Sequence, residues 1–171
     1  MDKPLVNKVA KSGLITIRLE EFFPEVELAK FDLKDYLFME MILKEKDFRT
    51  ALKEHDWSQY EGKTLLVYSS ADAIIPMWAY MLVAAYATPY AKELYQGTEQ
   101  QYYQATFHKI IAEMDLEPYK GQRLVIKGCG DKEVPASAYL ELTNRLQPHA
   151  RSIMYGEPCS TVPIYKKPRM Q

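Results

Sequence analysis

The stretch KTLLVYSSADAIIP, residues 63–76, returns in altered form 59 positions later as QRLVIKGCGDKEVP, residues 122–135. When the chain is aligned on itself at this shift without a gap, Phe48–Gly97 falls on Phe107–Gly156, and 13 of the 50 aligned positions are identical. Ordinary residue usage would give about 3 identities by chance. We call the two segments copy one and copy two. The repeat constrains the fold, because any structure assigned to one copy must also suit the other.

The two copies share a predicted strand, a polar loop and a helix. Lys63–Ser69 and Gln122–Cys129 are largely apolar runs of strand length, and each is followed by a short polar loop. Pro76 and Pro135 then open the helices, because proline at a first helical position already has the required φ and gives up an N–H that would have no partner. Each copy therefore predicts a strand that leads into a helix.

Each predicted helix runs into a further strand. Pro89 and Pro148 cannot continue a helix, so we expect the helices to end near them. Short strands are expected at Ala91–Tyr95 and Ala150–Tyr155. Each copy thus contains two strands joined by one helix.

Three further elements are predicted outside this shared pattern. Gly13–Leu19 alternates apolar and polar residues and is rich in β-branched residues, which predicts a first strand. Apolar residues recur at three- and four-residue steps over residues 31–55, which predicts a helix. Thr98–Met114 predicts another helix, with Thr98 and Gln101 forming a capping box at its start.

The alternation of strands and helices predicts an α/β fold. With short connections, it favours a three-layer sandwich in which helices cover both faces of one mostly parallel sheet of about five strands. The near-continuous apolar character of the second and fourth predicted strands agrees, since a strand buried on both sides has no wet face. With 171 residues and 47% apolar content, we expect the chain 1–171 to form one domain built on an internal duplication.

The charge balance excludes classes of partner. Lys and Arg number 22 against 23 Asp and Glu, a net charge of −1, so we expect binding neither to nucleic acid nor to an anionic membrane.

Ile74–Ala87 is apolar but, at 14 residues, too short to span a bilayer, and it predicts a buried helix. Basic residues near the two ends are expected to be solvated; they are Lys3, Lys8, Lys11, Lys166, Lys167 and Arg169.

We expect a soluble protein of the cytoplasm. No apolar run follows a charged segment at the beginning of the sequence, so nothing indicates secretion. The two cysteines, Cys129 and Cys159, are expected to be reduced thiols, with a bridge between them as the alternative.

A candidate site follows from the predicted sheet. In open parallel sheets, ligands bind beyond the carboxyl ends of the strands, where the helices begin. The two similar loops after the second and fourth predicted strands are expected to face one crevice, with Trp78, Tyr80 and Tyr139 as its walls. The ligand-binding candidates at this edge are Ser70, Asp72, Cys129, Asp131, Cys159, Ser160 and Thr161.

Several chemistries are open to these residues. Cys129 and Cys159 are candidates for binding a metal or handling sulfur, with small buried side chains as the alternative. Asp72 and Asp131 form a symmetric pair that could hold a divalent ion or perform acid–base catalysis, or could instead bond loop amides. The segment Gly156–Thr161 offers donors to an anion, or forms an arm that packs on the sheet edge or on a second subunit.

Four segments resemble a known family. They are HDWSQYEGK (residues 55–63), ADAIIPMWAYML (71–82), VIKGC (125–129) and SIMYGEPCSTVPIYK (152–166). They are similar to signature segments of an uncharacterised bacterial family, domain of unknown function 2480, and the similarity extends over nearly the whole chain. The family has no established activity, so the resemblance implies no catalytic residue. It implies an association with gene neighbours that act in iron–sulfur cluster assembly.

Three functions are therefore hypotheses. A non-catalytic binding or accessory protein, with a small anionic ligand or a protein partner in the crevice, is favoured over an enzyme. The alternatives are a thiol-dependent factor for metal or sulfur handling that uses Cys129 and Cys159, and a divalent-ion-dependent enzyme that uses Asp72 and Asp131. The sequence indicates no particular cofactor, and a homodimer is one option for the assembly. Because the loops of the two copies differ, we expect any site to be asymmetric.

Overall fold

The structure is a computed structural model that describes residues 7–9, 13–128, 130–157 and 160–168. The chain divides into two compact units, each with its own sheet and its own apolar core. Unit 1 comprises Met1–Pro24 and Tyr103–Gln171, and unit 2 comprises Glu25–Tyr102. Copy two belongs to unit 1 and copy one to unit 2. That the two units make a single domain stays a prediction.

The described residues form strands β1 to β8 and helices α1 to α4. The strands are β1 Asn7–Val9, β2 Leu14–Arg18, β3 Leu28–Asp32, β4 Thr64–Tyr68, β5 Glu93–Gln96, β6 Arg123–Lys127, β7 Ser152–Glu157 and β8 Ser160–Lys166. The helices are α1 Glu45–Glu54, α2 Met77–Ala87, α3 Glu99–Glu113 and α4 Ala136–Leu146.

Unit 2 contains a parallel sheet in the order β3-β4-β5. The chain passes through β3, α1, β4, α2 and β5 in turn, so each strand lies beside the one before it. Phe31 of β3 and Leu65 and Val67 of β4 pack in one core with apolar residues of α1 and α2. Leu66, on the opposite face of β4, is also buried, so this strand has no wet face.

Unit 1 contains a sheet in the order β1-β2-β6-β7-β8. Strands β2, β6 and β7 are parallel, while β1 pairs antiparallel with β2 and β8 antiparallel with β7. Ile17, Leu124 and Ile153, from the three parallel strands, belong to one core with Phe107 of α3 and Leu142 of α4. Both helices therefore pack on the same face of this sheet.

The strand order explains why the helices of each unit share a face. When parallel strands are added in one spatial direction, right-handed crossovers all fall on the same side of the sheet. The predicted α/β class with mostly parallel strands is confirmed. The predicted single sheet, with helices on both faces in three layers, differs from what either unit shows. The strands divide into two sheets because β3 pairs with β4 and not with β2.

The repeat predicts the local structure of both copies well. Strands β4, β5, β6 and β7 lie where the sequence places strands, and α2 and α4 follow Pro76 and Pro135. The capping box of α3 is also present. The Thr98 amide donates to Gln101 Oε1 at 2.8 Å, and the Gln101 amide donates to Thr98 Oγ1 at 3.4 Å.

The predicted helix over residues 31–55 is wrong in its first part. Phe31 belongs to β3, and α1 begins only at Glu45. Parallel pairing with β4 places Phe31 in the core, and this pairing overrides a helical spacing that is a weak local signal. Met39 and Glu40 then adopt positive φ angles, which no helix would accept.

Helix α2 is only half buried, although its uniformly apolar sequence predicts full burial. Ala79, Val83 and Ala87 are 0% exposed, whereas Met77 and Met81 are each 71% exposed. A helix that lies on one sheet face packs one side on that sheet, and the other side of α2 meets solvent. No helix in the described parts of the chain is both long enough and apolar enough to cross a membrane.

Two leucines of α4 provide a matched test of this packing. Leu142 is 0% exposed in the core of unit 1, whereas Leu140 is 72% exposed. We expect Leu142→Ala to lower the free energy of unfolding by about 3 kcal/mol, because it leaves a cavity. Leu140→Ala should change it by less than about 0.5 kcal/mol. Urea unfolding of both variants checks this, and equal losses would mean that α4 is oriented differently.

Candidate functional site

The parallel strands of unit 1 carry two adjacent cations at their carboxyl ends. Arg18 ends β2, Lys127 ends β6, and the two residues are direct neighbours in the register. Arg18 lies 3.7 Å from the Glu21 carboxylate, and Lys127 lies 3.4 Å from that of Glu157. The Nε atom of Arg18 is buried and has no acceptor among the described residues. A buried donor without a partner costs free energy, so an added acceptor would be stabilising here.

The loop after β6 lies close against other side chains of unit 1. A Cβ atom on Gly128 would overlap the ring and hydroxyl of Tyr155, and a Cβ atom on Gly130 would overlap the carboxylate of Glu20. Glycine is needed at Gly128 because the backbone approaches a ring that is held in the sheet. Beside this loop is a charged pocket of about 10 Å³, with room for about one water molecule. Its lining includes Arg18, Glu20, Lys127, Lys132 and Tyr139.

An apolar cavity of about 260 Å³ adjoins the charged pocket. The rings of Tyr139 and Tyr155 meet edge to face, with their centroids 5.8 Å apart. Tyr139 borders both the cavity and the charged pocket, and we call the two together the carboxyl-edge crevice. The cavity is lined by Ile126, Ala136, Tyr139, Thr143, Tyr155 and Ile164.

The sequence anticipated one wall of this crevice and missed two others. Tyr139 follows the polar loop of copy two and was predicted as a wall, and it lines the cavity. Tyr155 and Ile164 were not predicted as walls, because their positions depend on the pairing of β8 with β7. The alternation of apolar residues at Val162 and Ile164 was the available signal for a further strand.

In unit 2, the carboxyl ends of the strands are organised by Asp32, which the sequence analysis did not single out. Its Oδ1 atom accepts hydrogen bonds from the amides of Lys34 and Ser70, each at 3.0 Å. Burial would raise the pKa of Asp32, but hydrogen bonds from the side chain and amide of Ser70 and from the Lys34 amide outweigh it. The pKa therefore lies below the ordinary 3.8. Asp32 thus fixes the loop after β4.

At the other edge of the unit 1 sheet lies a cleft of about 410 Å³. It is formed by the beginnings of β6 and β7 and the end of β8. We call it the basic cleft, because four of its lining residues are cations. Its lining comprises Arg123, Arg151, Ser152, Met154, Pro163, Tyr165, Lys166 and Lys167. The expectation that Lys166 and Lys167 are merely solvated missed their grouping with two arginines from other parts of the sequence.

The chain matches the family model described as "Protein of unknown function (DUF2480)" over residues 3–167. It belongs to the DUF2480 family. No curated protein matches the DUF2480 chain, and no solved structure matches it either. The family confirms the resemblance noted in the sequence and leaves the function to be inferred from the site.

The predicted site residues of the DUF2480 chain divide between the units. Ser70 and the exposed Asp72 belong to unit 2, and the exposed Asp131 belongs to unit 1. Thr161 lies on β8, where its hydroxyl donates to Met154 Sδ at 3.7 Å. Ser160 begins that strand, so the segment after β7 returns along the sheet edge. One shared crevice for the loops of both copies stays a prediction.

The metal hypotheses receive no support from the described residues. Cys129 and Cys159 lie outside them. Among the residues that the structure describes, no group of three or more His, Cys, Asp or Glu side chains could hold a metal ion. The proposed divalent-ion role of Asp72 and Asp131 therefore stays a prediction.

The bonds of Asp32 predict a pH-dependent contribution to stability. Because its pKa is lowered on folding, the ionised form stabilises the fold above pH 4, and this is lost as the pH falls through the pKa of Asp32. We expect Asp32→Ala to cost about 1 kcal/mol at neutral pH and less near pH 2, where more of the carboxyl is protonated. Asp35→Ala, an exposed neighbour, is the control and should change little. Urea unfolding at both pH values measures this; a loss independent of pH would contradict the role given to Asp32.

Proposed function

We propose that the DUF2480 chain is a non-catalytic binding or accessory protein that holds a small ligand in the carboxyl-edge crevice of unit 1. The ligand has an apolar body, which fills the cavity, and an anionic group, which meets the charged pocket. The apolar cavity walled by Tyr139 and Tyr155 is the observation that carries this proposal.

The cavity has the composition of a small-molecule site. Ligand sites are mostly apolar or aromatic, with a few polar groups that fix orientation, and their volumes begin at about 300 Å³. The cavity, at about 260 Å³, suits a small ligand with an aromatic body. Its polar groups are the hydroxyls of Thr143 and the two tyrosines, which are better suited to orienting a bound ligand than to catalysing a reaction.

The charged pocket favours an anionic group on the ligand. The buried Nε atom of Arg18 lacks an acceptor among the described residues, and Lys127 and Lys132 line the same pocket. A carboxylate or sulfonate could accept from Arg18, and a charge-assisted hydrogen bond of this kind is stronger than a neutral one. The pocket is small, so the anionic group enters by displacing a flexible side chain such as that of Glu20.

We also propose that the two units arose by internal duplication. The bounds of β4 and β6, and those of α2 and α4, differ by 59 positions at both ends, the same shift that aligns the sequences. Gly62 and Gly121, paired by this shift, have φ angles of +74° and +67°. If so, the crevice arose in unit 1 after the duplication, because it depends on β8, which has no counterpart among the described strands of unit 2.

A thiol-dependent function is the second candidate. Gly128 and Gly130, the sequence neighbours of Cys129, line the charged pocket together with Arg18, Lys127 and Lys132. A reactive thiolate needs a nearby cation or a helix N-terminus that lowers the pKa of the thiol. Cys129 itself lies outside the described residues, so its role in metal or sulfur handling is proposed from the sequence.

The fluorescent probe anilinonaphthalene sulfonate tests the binding proposal, because it joins an aromatic body to one sulfonate. We expect one bound probe per chain, and Ala136→Phe, which fills the cavity, should weaken binding by about tenfold or more. Leu140→Phe, an exposed position on the same helix, should leave the affinity unchanged. Arg18→Gln should weaken the binding of the sulfonate probe and leave the binding of the uncharged phenylnaphthylamine unchanged.

Equal binding by the Ala136→Phe and Leu140→Phe variants would contradict the proposed location. Cooperative urea unfolding of each protein must accompany the titrations, since loosely packed states also bind this probe. Binding that persists only where unfolding is not cooperative would also count against the proposal.

Metal analysis of protein purified without oxygen or chelator tests the second candidate. A thiol-dependent metal role predicts bound iron or zinc that is lost in Cys129→Ser and Cys159→Ser and retained in Ser160→Ala. Metal-free wild-type protein, with a Cys129 thiol no more reactive than a free cysteine, would contradict it.

A further inference from the structure

The register of the unit 1 sheet places two cations in one row across three strands. Arg123 on β6 pairs with Ser152 on β7, which pairs with Lys166 on β8. Directly paired residues present their side chains on the same sheet face, and adjacent strands lie about 4.8 Å apart. Arg151 and Lys167 lie opposite each other one position farther along, since the Lys167 amide donates to the Arg151 carbonyl at 2.9 Å. Four cations therefore gather at one end of three strands, where they line the basic cleft.

The four cations lack acidic partners among the described residues. Lys63 and Lys127, elsewhere on the chain, form ion pairs with glutamates at 2.8 Å and 3.4 Å. No ion pair of the described residues involves a cation of the basic cleft, and all four side chains are exposed. Grouped like charges repel one another, and a bound anion would relieve that repulsion.

The fold does not require this charge pattern. In unit 2, the positions 59 residues before Arg123 and Ser152 are occupied by Thr64 and Glu93, which are also register neighbours. There the Thr64 hydroxyl lies 3.4 Å from a Glu93 carboxylate oxygen, so the same row is acidic and internally bonded. The position equivalent to Arg151 is Lys92, so Arg123 is the arginine specific to unit 1, and Lys166 and Lys167 belong to a segment with no counterpart among the described strands of unit 2. The grouping of four cations is thus specific to unit 1, which indicates a function for it beyond folding.

We propose that the basic cleft binds a compact anion with two or more phosphate groups, such as a nucleoside diphosphate or a short inorganic polyphosphate. Arg123 and Arg151 can each bind phosphate oxygens through two parallel N–H groups, and Ser152 supplies a further donor. The cleft volume, about 410 Å³, lies within the usual range for small-molecule sites. Tyr165 and Met154 offer an apolar wall for any part of the ligand beyond its phosphates.

A compact anion fits better than a nucleic acid or a membrane. Polymers and bilayers are held by extended positive surfaces, whereas this chain has a net charge of −1 and gathers unpaired cations in one cleft. The site shares no lining residue with the carboxyl-edge crevice, so it stands or falls independently of the function proposed above.

Isothermal titration with inorganic tripolyphosphate, at about 50 mM salt, tests the basic cleft with the full chain. We expect one anion per chain, and the double variant Arg123→Gln/Arg151→Gln should weaken binding by about tenfold or more. Lys92→Gln/Lys109→Gln removes the same charge at exposed positions outside the cleft and should weaken binding by less than about twofold. Unchanged thermal midpoints show that both variants fold.

Three results would overturn the proposal. The first is that wild-type protein does not bind tripolyphosphate, and the second is an equal loss of affinity in both double variants. The third is a single-stranded oligonucleotide, or vesicles with anionic lipid, that binds through Arg123 and Arg151 more tightly than tripolyphosphate does. That outcome would assign the cations to a polymer or a membrane surface instead.

Discussion

In each unit, the parallel strands lie side by side in the order in which they occur along the chain. The positions of the helices and of the candidate sites depend on this order. Right-handed crossovers then place both helices of a unit on one sheet face. In doubly wound sheets, the usual ligand crevice forms where the direction of strand addition reverses, because the loops on either side diverge there. Among the described parallel strands, neither unit contains such a reversal. A binding site in this protein must therefore form without such a reversal.

In unit 1, residues of strand β8 line both candidate sites. The register shift beside Ile153 pairs Tyr165 with Ile153 and Pro163 with Met154, which leaves Ile164 as an extra residue on β8. Ile164 lines the apolar cavity, whereas Lys166 and Lys167 beyond it line the basic cleft. One antiparallel edge strand thus contributes residues to both candidate sites.

The sequence predicted those parts of the fold that local signals determine. The apolar runs of β4 and β6 are such signals, and each supports the other through the repeat; the capping box at Thr98 is a further one. The strand at Phe31 was mistaken for a helix, because its identity rests on pairing with β4 and not on its own spacing. The carboxyl-edge rule led to Tyr139, but Asp32 and the row of Arg123 and Lys166 depend on registers that no spacing in the sequence reveals.

The central claim is that the binding function resides in unit 1 and that unit 2 lacks it, although the two units share their order of elements. An amide NMR titration of the full chain with anilinonaphthalene sulfonate, followed by tripolyphosphate, tests this most directly. We expect the first ligand to shift resonances around Tyr139 and Tyr155, and the second to shift those around Ser152. Resonances of Thr64–Tyr68 and Glu93–Gln96 in unit 2 should stay in place. Shifts centred on those two strands, for either ligand, would contradict the account.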